Sequence, residues 1–389
     1  MLRLERIRED IAALGRQAAA TRQARQDALA IAQRWLAEVP GAEELRGHVQ
    51  PLLGSTDPWS GAVPVTDRPL NVPIACPPES LTGAVLIGVD GSQIFPDRHA
   101  LALYYLLQVG ALIFRYDGSA PTPRTFEWLR YEESDLFDER GYLIGAETLG
   151  MERMVKEMEV LADLVAASSP DAQGPVIGLF DGPLLWPYAD RVPDAGSALR
   201  TYMGAMRRVQ RGGGHPVGYV DRPGGRPLLD LLWASRLRPD EFGERIGESP
   251  LHHLTDEDLM VSFLPPGACT PWFTRPTPTN DRHAQEGQEI WFCYVHMGSG
   301  EHPTIARIEI PAWATIDGRA PAVAHAALLH QAAALNGYPY VLARAHEEAL
   351  VTTQDKAALE QAIQREILAS GHLALPSEKA QQKALLGRR

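Results

Sequence analysis

The sequence predicts an α/β protein in which a mixed β-sheet is flanked by helices. Two apolar segments of strand length, residues 84–90 and 175–181, each end in an aspartate that precedes a glycine. Between them, residues 101–109 and 111–116 are rich in residues that favour strands, and they form either two paired strands or one long bent strand. Residues 147–167 carry apolar side chains at helical spacing. A strand, a strand pair, a helix and a second strand follow one another in this order in the ribonuclease H-like fold. We therefore expect a ribonuclease H-like sheet.

The composition is that of a globular protein. Hydrophobic residues make up 45% and charged residues 22% of the 389 residues, which excludes wholesale disorder. No apolar run approaches the roughly 18–20 residues of a membrane-spanning helix, and the first residues lack the apolar segment of a signal peptide. We therefore expect a cytoplasmic protein with no membrane partner. Cys76, Cys269 and Cys293 are odd in number and far apart, which argues against a disulfide framework and a cysteine-based zinc site.

Helices are also predicted at both ends of the chain. Apolar residues at positions 4, 7, 11, 14 and 18 have the spacing of a coiled-coil seam, and residues 1–37 should therefore form a helix that contacts its own domain, a second copy or a partner. Further helices are expected at 197–211, 227–237, 320–335, 341–350 and 355–369, with strands at 217–221, 289–296 and 304–310. The predicted domains are a helical arm (1–50), a linker (51–79), a ribonuclease H-like core (80–350) with an irregular insertion (240–285), and a C-terminal helix and tail (351–389).

Asp90 and Asp181 are the candidate centre of a metal site. A single Asp-Gly dipeptide is most simply explained as a turn. Here, however, each of the two follows an apolar strand at neighbouring positions of the expected sheet. Carboxylates gathered in one cleft repel one another, and a hard cation such as Mg²⁺ or Mn²⁺ removes that cost. Such an ion also supplies what phosphodiester hydrolysis requires, namely an activated water and charge neutralisation.

A third acid is expected on the helix between the two strands. Glu157 lies three residues after Met154 and four before Leu161, so it borders the apolar face and can point inward. Glu152 and Glu159 fall on the polar side of the helix and remain alternatives. We choose Glu157.

Four sequence motifs resemble those of the NurA nucleases of archaea and bacteria. They are IGVDGSQ at residues 87–93, GLFDGPLLW at 178–186, GYVDRP at 218–223 and GYPYVLARAH at 337–346, in the order that the family has. The two aspartates of the candidate metal site lie in the first two of these motifs.

The resemblance implies a ribonuclease H-like DNA nuclease that uses Mn²⁺, with Mg²⁺ as a possible substitute. It implies 5′→3′ exonuclease activity with single-strand endonuclease activity, in DNA end resection and double-strand break repair. The implied partners are DNA, a second copy of the chain in a homodimer, and a hexameric HerA-type helicase. The implied location is the nucleoid within the cytoplasm. The sequence contains no GxxxxGK[ST] motif, so ATP-driven work must come from such a partner.

The resemblance also assigns the candidate site residues. Asp90 and Asp181 match the metal-binding aspartates of the family, and Glu157 is the best match to its helical glutamate. His346 matches the late histidine of the active site, as a metal ligand or as a group that positions the scissile phosphate and shuttles protons. Tyr338 falls where the family has a tyrosine near that histidine.

A local excess of arginine predicts a surface that binds DNA. The chain as a whole carries a net charge of −12, but residues 191–238 contain nine arginines and three acids. Binding depends on where charge lies rather than on its total. The arginines expected to follow the phosphates without regard to base sequence are Arg207, Arg208, Arg211, Arg222 and Arg226. The nearby Trp186, Tyr188 and Tyr202 either stack on bases or belong to the core.

Two other functions remain open on the sequence. One is a DNA-end clamp or helicase adaptor that keeps the fold without turnover. The other is a phosphotransferase of a related fold, against which the lack of a nucleotide-phosphate motif argues.

Overall fold

The computed structural model describes residues 4–53, 59–76, 79–188, 192, 194–298, 303–316, 318–335 and 337–370. The helices, in chain order, are α1 (Arg8–Ala37), α2 (Ala42–Leu53), α3 (Glu133–Leu136), α4 (Ala146–Ser168), α5 (Ala195–Arg211), α6 (Pro227–Ala234), α7 (Phe242–Arg245), α8 (Asp256–Phe263), α9 (Pro278–Gln285), α10 (Arg319–Ala332), α11 (Tyr340–Ala349) and α12 (Thr353–Ala369). The strands are β1 (Val63–Pro64), β2 (Val85–Ile94), β3 (Tyr105–Arg115), β4 (Thr122–Arg130), β5 (Val176–Asp181), β6 (Gly214–Asp221), β7 (Phe273–Thr274), β8 (Ile290–His296) and β9 (Ile305–Pro311).

The chain forms two compact units. One contains Met1–Glu79 and Gly218–Tyr338, and the other contains Ser80–Val217 and Pro339–Arg389. We call them the arm unit and the carboxylate unit, after the long first helix and the candidate acids. The predicted domain bounds remain predictions, and the predicted polar tail at residues 377–389 lies outside the described residues.

The carboxylate unit has the mixed sheet that the sequence predicts. Its strands lie in the order β5-β2-β3-β4. β2 pairs antiparallel with β3, β3 pairs antiparallel with β4, and β5 lies parallel to β2. The helix α4 precedes β5 and buries the apolar face that the sequence predicts, including Met154, Met158 and Leu161. This strand order confirms the ribonuclease H-like α/β fold with a helix at either end of the chain.

Two helices cover opposite faces of β2. A Cβ added to Gly88 would lie 2.8 Å from the carbonyl oxygen of Val341 on α11. A Cβ added to Gly91 would lie 2.4 Å from Oε1 of Glu157 on α4. Since successive side chains of a strand point to opposite faces, the even-numbered residues of β2 face α11 and the odd-numbered ones face α4.

The sequence prediction was wrong about where β2 ends and where β3 begins. β2 does not turn at Asp90 and Gly91 but continues to Ile94. Of the two alternatives for the segment around Gly110, the single long strand is confirmed, because β3 runs through Gly110 and pairs there with Asp90. On its other edge β3 pairs with β4, a strand that the sequence analysis missed. The reason is that β4 is polar and largely exposed, so it lacks the apolar signal of a buried strand.

The arm unit contains an antiparallel sheet in the order β1-β7-β8-β9-β6. The predicted pair β8 and β9 is confirmed in antiparallel register. The second half of α1 packs into this unit, because Ala28, Ala32 and Leu36 are buried and Trp35 stacks on Trp233 with ring centroids 5.8 Å apart. The stretch expected to be irregular contains the helices α7, α8 and α9 and the short strand β7. A buried aspartate at the start of α8 holds this helix against α6. The Asp256 carboxylate accepts hydrogen bonds from the backbone N–H groups at the start of α6.

Candidate metal centre

Asp90 and Asp181 lie at neighbouring positions of adjacent parallel strands. The parallel register of β2 and β5 runs from Val85↔Val176 to Val89↔Phe180, so the next residues on the two strands are the two aspartates. Parallel strands are roughly 4.8 Å apart. Gly182 follows with a φ of 134°, a conformation that favours glycine, and the chain leaves the sheet there. Both carboxylates therefore stand where the ladder between the two strands ends.

From the face of β2 that meets α4, Glu157 brings a third carboxylate to Gly91, the residue next to Asp90. It lies on α4, it is 5% exposed, and its Oε1 rests against the backbone of Gly91. Burial raises the pKa of Glu157 to about 8; Arg153 lowers it, while the charges of Asp90 and Asp181 raise it. The influence of both aspartates on this one pKa shows that the three acids share a local environment.

The two alternative glutamates face other partners. Glu152 accepts a hydrogen bond of 2.7 Å from the hydroxyl of Tyr105. Glu159 pairs with Lys156, whose Nζ lies 2.7 Å from its Oε2. Burial raises the pKa of Glu152, and neither Asp90 nor Asp181 is among the groups that shift it. The geometry thus favours Glu157 among the three candidates.

His346 contacts the first of these acids. Its Nδ1 lies 2.6 Å from Oδ2 of Asp90, while the other oxygen of Asp90 accepts the N–H of Gly91. His346 is carried by α11, which is fixed on the sheet by Ser92 and Gln108. Their side chains donate hydrogen bonds to the carbonyl oxygens of Ala349 and Glu348. The imidazole is 56% exposed, so it stands between the carboxylate and solvent.

Arg153 is a site residue that the sequence analysis missed. One of its terminal nitrogens donates to the backbone carbonyl of Gly91 at 3.2 Å and to Oε1 of Gln93 at 3.1 Å. Its Nε lies 3.1 Å from Oε1 of Glu157, but the N–H does not point at the oxygen. The signal in the sequence was the spacing of four residues between Arg153 and Glu157, which places both on one face of α4.

The donor set fits a hard divalent cation. Three carboxylates supply the oxygen ligands that Mg²⁺ and Mn²⁺ prefer. Oε1 of Glu157 is buried without a hydrogen-bond partner. A cation bound to this oxygen would offset the free-energy cost of burying it. In their present rotamers, no three His, Cys, Asp or Glu side chains of the described residues form a ready-made ion site. Asp90 contacts His346, and Glu157 lies beside Arg153. The side chains of Asp90 and Glu157 would have to rotate for their carboxylates to bind one ion.

The contacts within the carboxylate unit do not bring the other predicted site residues to this site. Tyr338 belongs to the arm unit, where its ring packs edge-on against Tyr219 at 5.4 Å. Arg222 and Arg226 belong to the arm unit as well. Arg226 is paired with Asp230, with Nε and Oδ1 2.8 Å apart.

The three arginines of α5 that are predicted to bind DNA lie in its last turns. Arg211 and Arg208 are exposed, and Arg208 pairs with Asp163 of α4. Arg207 is half-buried. Trp186 and Tyr202 are core residues rather than exposed stacking platforms, since they are 3% and 0% exposed. Arg191, which contributes to the predicted basic stretch, lies outside the described residues.

Comparison with known proteins identifies the family. A family model of the NurA domain matches residues 84–351, which is more than half of the chain. The protein therefore belongs to the NurA family. No curated protein matches the sequence. No helix among the described residues has the length and apolar character to cross a membrane.

Solved structures of low sequence identity show distant similarity. A crystal structure of NurA with manganese is 12% identical over 75% of this chain and 91% of that chain, with a TM-score of 0.35. A crystal structure of NurA bound to dAMP and manganese is 11% identical over 81% of this chain and 92% of that chain, with a TM-score of 0.33. Argonaute of Marinitoga piezophila, in complex with a guide RNA, is 11% identical over 72% of this chain and 32% of that chain, with a TM-score of 0.32.

Proposed function

We propose that this protein is a divalent-metal-dependent DNA nuclease, a 5′→3′ exonuclease with single-strand endonuclease activity. It acts in DNA end resection and double-strand break repair together with a hexameric HerA-type helicase. Membership of the NurA family supports the reaction class. The observation that carries the proposal is the strand register that sets Asp90 beside Asp181, with the buried Glu157 carboxyl against Gly91, the residue after Asp90.

Asp90, Asp181 and Glu157 are the residues that would hold the metal. A bound Mn²⁺ or Mg²⁺ lowers the pKa of a coordinated water and offsets charge on the phosphate in the transition state. Gly91 leaves the space in which the Glu157 carboxylate sits. By its contact with Asp90, His346 orients that carboxylate, and its exposed ring can pass a proton between the site and solvent.

Arg153 supports the acids in the absence of an ion. Its guanidinium is fixed by Gly91 and Gln93 and supplies positive charge next to Glu157. With Glu157 as a ligand of a bound cation, the same guanidinium would be available to a phosphate oxygen. Because arginine is charged at every working pH, this role does not depend on a proton equilibrium.

Digestion of end-labelled DNA tests the nuclease. Single- and double-stranded DNA labelled at the 5′ or 3′ end is incubated with Mn²⁺, Mg²⁺ or chelator, with and without the helicase. We expect cleavage with Mn²⁺ that is lost in chelator. Asp90→Asn should lower the rate at least 10²-fold, because it removes one metal-ligand charge. Glu159→Gln, on the same helix as Glu157 but paired with Lys156, is the matched control and should keep its rate.

Two further readouts separate a nuclease from a DNA-end clamp. DNA binding of Asp90→Asn is measured by anisotropy, and we expect it to be retained while cleavage is lost. Mn²⁺ should raise the melting temperature of the wild type more than that of Asp90→Asn, since a ligand of the folded state stabilises it by mass action. A wild type that binds DNA ends but cuts no substrate under any metal would identify the protein as a clamp or helicase adaptor.

A further inference from the structure

The three cysteines of the chain, distant in sequence, belong to one neighbourhood in the arm unit. Cys269 exchanges backbone hydrogen bonds of 2.8 and 2.9 Å with Ile74, and it forms a second isolated bridge with Val295. Cys293 lies on β8 two residues before Val295, so both side chains point to the same face of that strand. Cys76 follows Ile74 by two residues. The backbone pairing therefore gathers all three thiols, which spacing in the sequence could not reveal.

A cavity of about 330 Å³ opens onto two of these thiols. Cys269 and Cys293 line it together with His325 of α10 and Arg68. Trp272 and Trp291 form part of the apolar lining of the cavity. Cys293 is buried and Cys269 is half-buried, so Cys269 is the thiol more accessible to a small molecule that enters.

The groups around Cys269 favour its anion. The neighbouring Cys293 thiol and His325 lower the pKa of Cys269 to about 5, against the opposing effect of burial. The positive charge of Arg68 acts in the same direction. Burial raises the pKa of Cys293, and the neighbouring Cys269 raises it further. The surroundings therefore favour the anion at Cys269 and the neutral thiol at Cys293.

Cys76 provides a contrast within the same chain. Burial raises its pKa, and the nearby charges of Cys269 and Glu79 raise it further. A thiolate is the reactive form of cysteine, whereas a neutral thiol is nearly inert. The neighbourhood therefore distinguishes Cys269 from both other cysteines.

We propose that Cys269 is a modification site that reacts as a thiolate with small electrophiles, hydroperoxides above all. The Cys269 sulfur attacks one peroxide oxygen, an S–O bond forms and the O–O bond breaks. The departing hydroxide or alkoxide takes a proton from solvent, and the sulfur is left as sulfenic acid. The sulfur loses two electrons and the peroxide gains them. The site is separate from the proposed nuclease chemistry and does not depend on it.

The pH profile of alkylation tests the ionisation. The full-length protein is treated with iodoacetamide between pH 4.5 and 9.5, and the modification of each cysteine is followed by peptide mass spectrometry. A thiolate of low pKa is also a weaker nucleophile, by roughly 0.4–0.5 log units per pKa unit. The midpoint of the profile, rather than the rate at pH 7, is therefore the quantity that discriminates.

We expect the Cys269 midpoint near pH 5 and the Cys76 midpoint above the ordinary thiol value of ~8.5. At pH 5.5 Cys269 should react on the order of tenfold faster than an ordinary thiol of equal access. A Cys269 midpoint above pH 8, or equal midpoints for Cys269 and Cys76, would overturn the proposal.

Variants test the cause of the ionisation. His325→Gln and Cys293→Ala each remove a neighbouring group that lowers the pKa of Cys269 and should each raise its midpoint by at least one pH unit. Cys293 is buried, and if Cys293→Ala does not fold, His325→Gln still provides the test. His330→Gln, at an exposed position of the same helix, is the control and should leave the midpoint in place. An unshifted midpoint in His325→Gln would contradict the assignment.

Peroxide treatment tests the chemistry. After exposure to hydrogen peroxide, a dimedone adduct specific for sulfenic acid should appear on Cys269 and be missing in Cys269→Ser. Labelling of Cys76 in preference to Cys269, or no labelling of any cysteine while the thiols remain reduced, would show that the cavity is not a hydroperoxide site.

Discussion

At the scale of single residues, the buried Glu157 is the feature on which the candidate site depends. Its choice could be predicted from the sequence, because the spacing to Met154 and Leu161 placed it at the border of an apolar face. Its companion Arg153 could not be chosen on the same grounds, since arginine at helical spacing from an acid is common on solvent-exposed faces. The contact of His346 with Asp90 joins residues 256 positions apart. Only the resemblance to a family, and no local pattern, could suggest it.

Removal of the Glu157 charge should change how stability depends on pH. The pKa of Glu157 is about 8 in the folded protein against 4.5 for an ordinary glutamate. Between these values the folded state keeps a proton that the unfolded chain has released, so stability falls as pH rises through this window. Glu157→Gln does not titrate, and without metal it should gain stability relative to the wild type by on the order of 1 kcal/mol per pH unit. Denaturant unfolding at pH 5, 6, 7 and 8 in chelator measures this.

Glu159→Gln serves as the reference for that series, because Glu159 pairs with Lys156 and should show a nearly constant difference from the wild type. A difference between Glu157→Gln and the wild type that stays flat from pH 5 to 8 would mean that Glu157 is ionised throughout.

Gly91 should be intolerant of a side chain for a functional reason. A Cβ at this position would stand 2.4 Å from Oε1 of Glu157 and 2.8 Å from Cγ of Arg153. Both contacts involve side chains that can move, so we expect Gly91→Ala to fold. Displacement of a catalytic group by about 1 Å costs on the order of 10²-fold in rate, and DNA cleavage should fall accordingly. Rates on labelled DNA, with circular dichroism as the check on folding, measure both effects.

Gly204→Ala is the matched control for this glycine. Gly204 lies inside α5, and nothing stands within 4 Å of an added Cβ. Cleavage at the wild-type rate by Gly91→Ala would show that the position of the Glu157 carboxylate is not critical.

At the scale of secondary-structure elements, the sequence predicted the buried helices and strands well and the polar ones poorly. The helices α4, α10 and α11 and the strands β5, β8 and β9 lie close to their predicted bounds. Each of them has a continuous apolar face, which is the signal that periodicity detects. The exposed strand β4 has no such signal, and the short α8 and α9 lie in a stretch rich in proline.

Asp-Gly dipeptides misled the prediction at β2 because glycine has more than one use. In a turn, glycine supplies a backbone conformation that other residues avoid. In β2, Gly88 and Gly91 instead make room for neighbouring helices. The sequence alone does not distinguish these two uses, since both place a small residue after an apolar run.

The attachment of α11 to the sheet should depend on Gly110. A Cβ there would lie 2.2 Å from the backbone nitrogen of Ala349 and 2.5 Å from the carbonyl oxygen of Ala345. Backbone atoms cannot rotate away, so Gly110→Ala must push the helix from β3. We expect a loss of about 1–3 kcal/mol in unfolding free energy and displacement of His346.

For comparison, Gly204→Ala replaces glycine within a helix and should gain about 0.5–1 kcal/mol. Chemical denaturation of both variants decides the matter. Equal stability of Gly110→Ala and the wild type would show that the helix adjusts without cost.

At the scale of the whole molecule, charge and partner surfaces are less well determined than the fold. The predicted DNA-binding arginines divide between the two units, and Arg208 and Arg226 each contact an acid. The Arg208 pair is exposed and contributes little to stability, so Arg208 can exchange its acid for a phosphate at small cost. The Arg226 pair is half-buried. The count of arginines in the sequence therefore overstates the positive charge that is available to DNA, because some arginines are paired with acids. The role of these arginines in DNA binding stays a prediction.

The segment from Leu4 through the first half of α1 is where we expect a second copy or the helicase to bind. Leu4, Ile7, Ile11 and Leu14 follow the predicted seam and are 59%, 38%, 49% and 65% exposed. Because exposed apolar stripes of this kind mark interaction surfaces, Leu14→Glu should lower the oligomeric mass or weaken helicase binding. Ala13→Glu adds the same charge on the opposite side of the helix and should change neither property.

Light scattering of the protein alone, and pull-down with the helicase, provide the measurements. Unchanged mass together with unchanged helicase binding in Leu14→Glu would show that the partner surface lies elsewhere.

The alternation along β2 has a consequence for how this chain can vary in length. Asp90 belongs to the series that meets α11, whereas the space at Gly91 belongs to the series that meets α4. Insertion or deletion of one residue before Asp90 within this strand would exchange the two series. Asp90 would then face α4, and the histidine would lose its acid. Changes in length are therefore tolerable in the exposed turn at Gly118, where an added Cβ meets nothing within 4 Å, but not in the few residues that lead up to the aspartate.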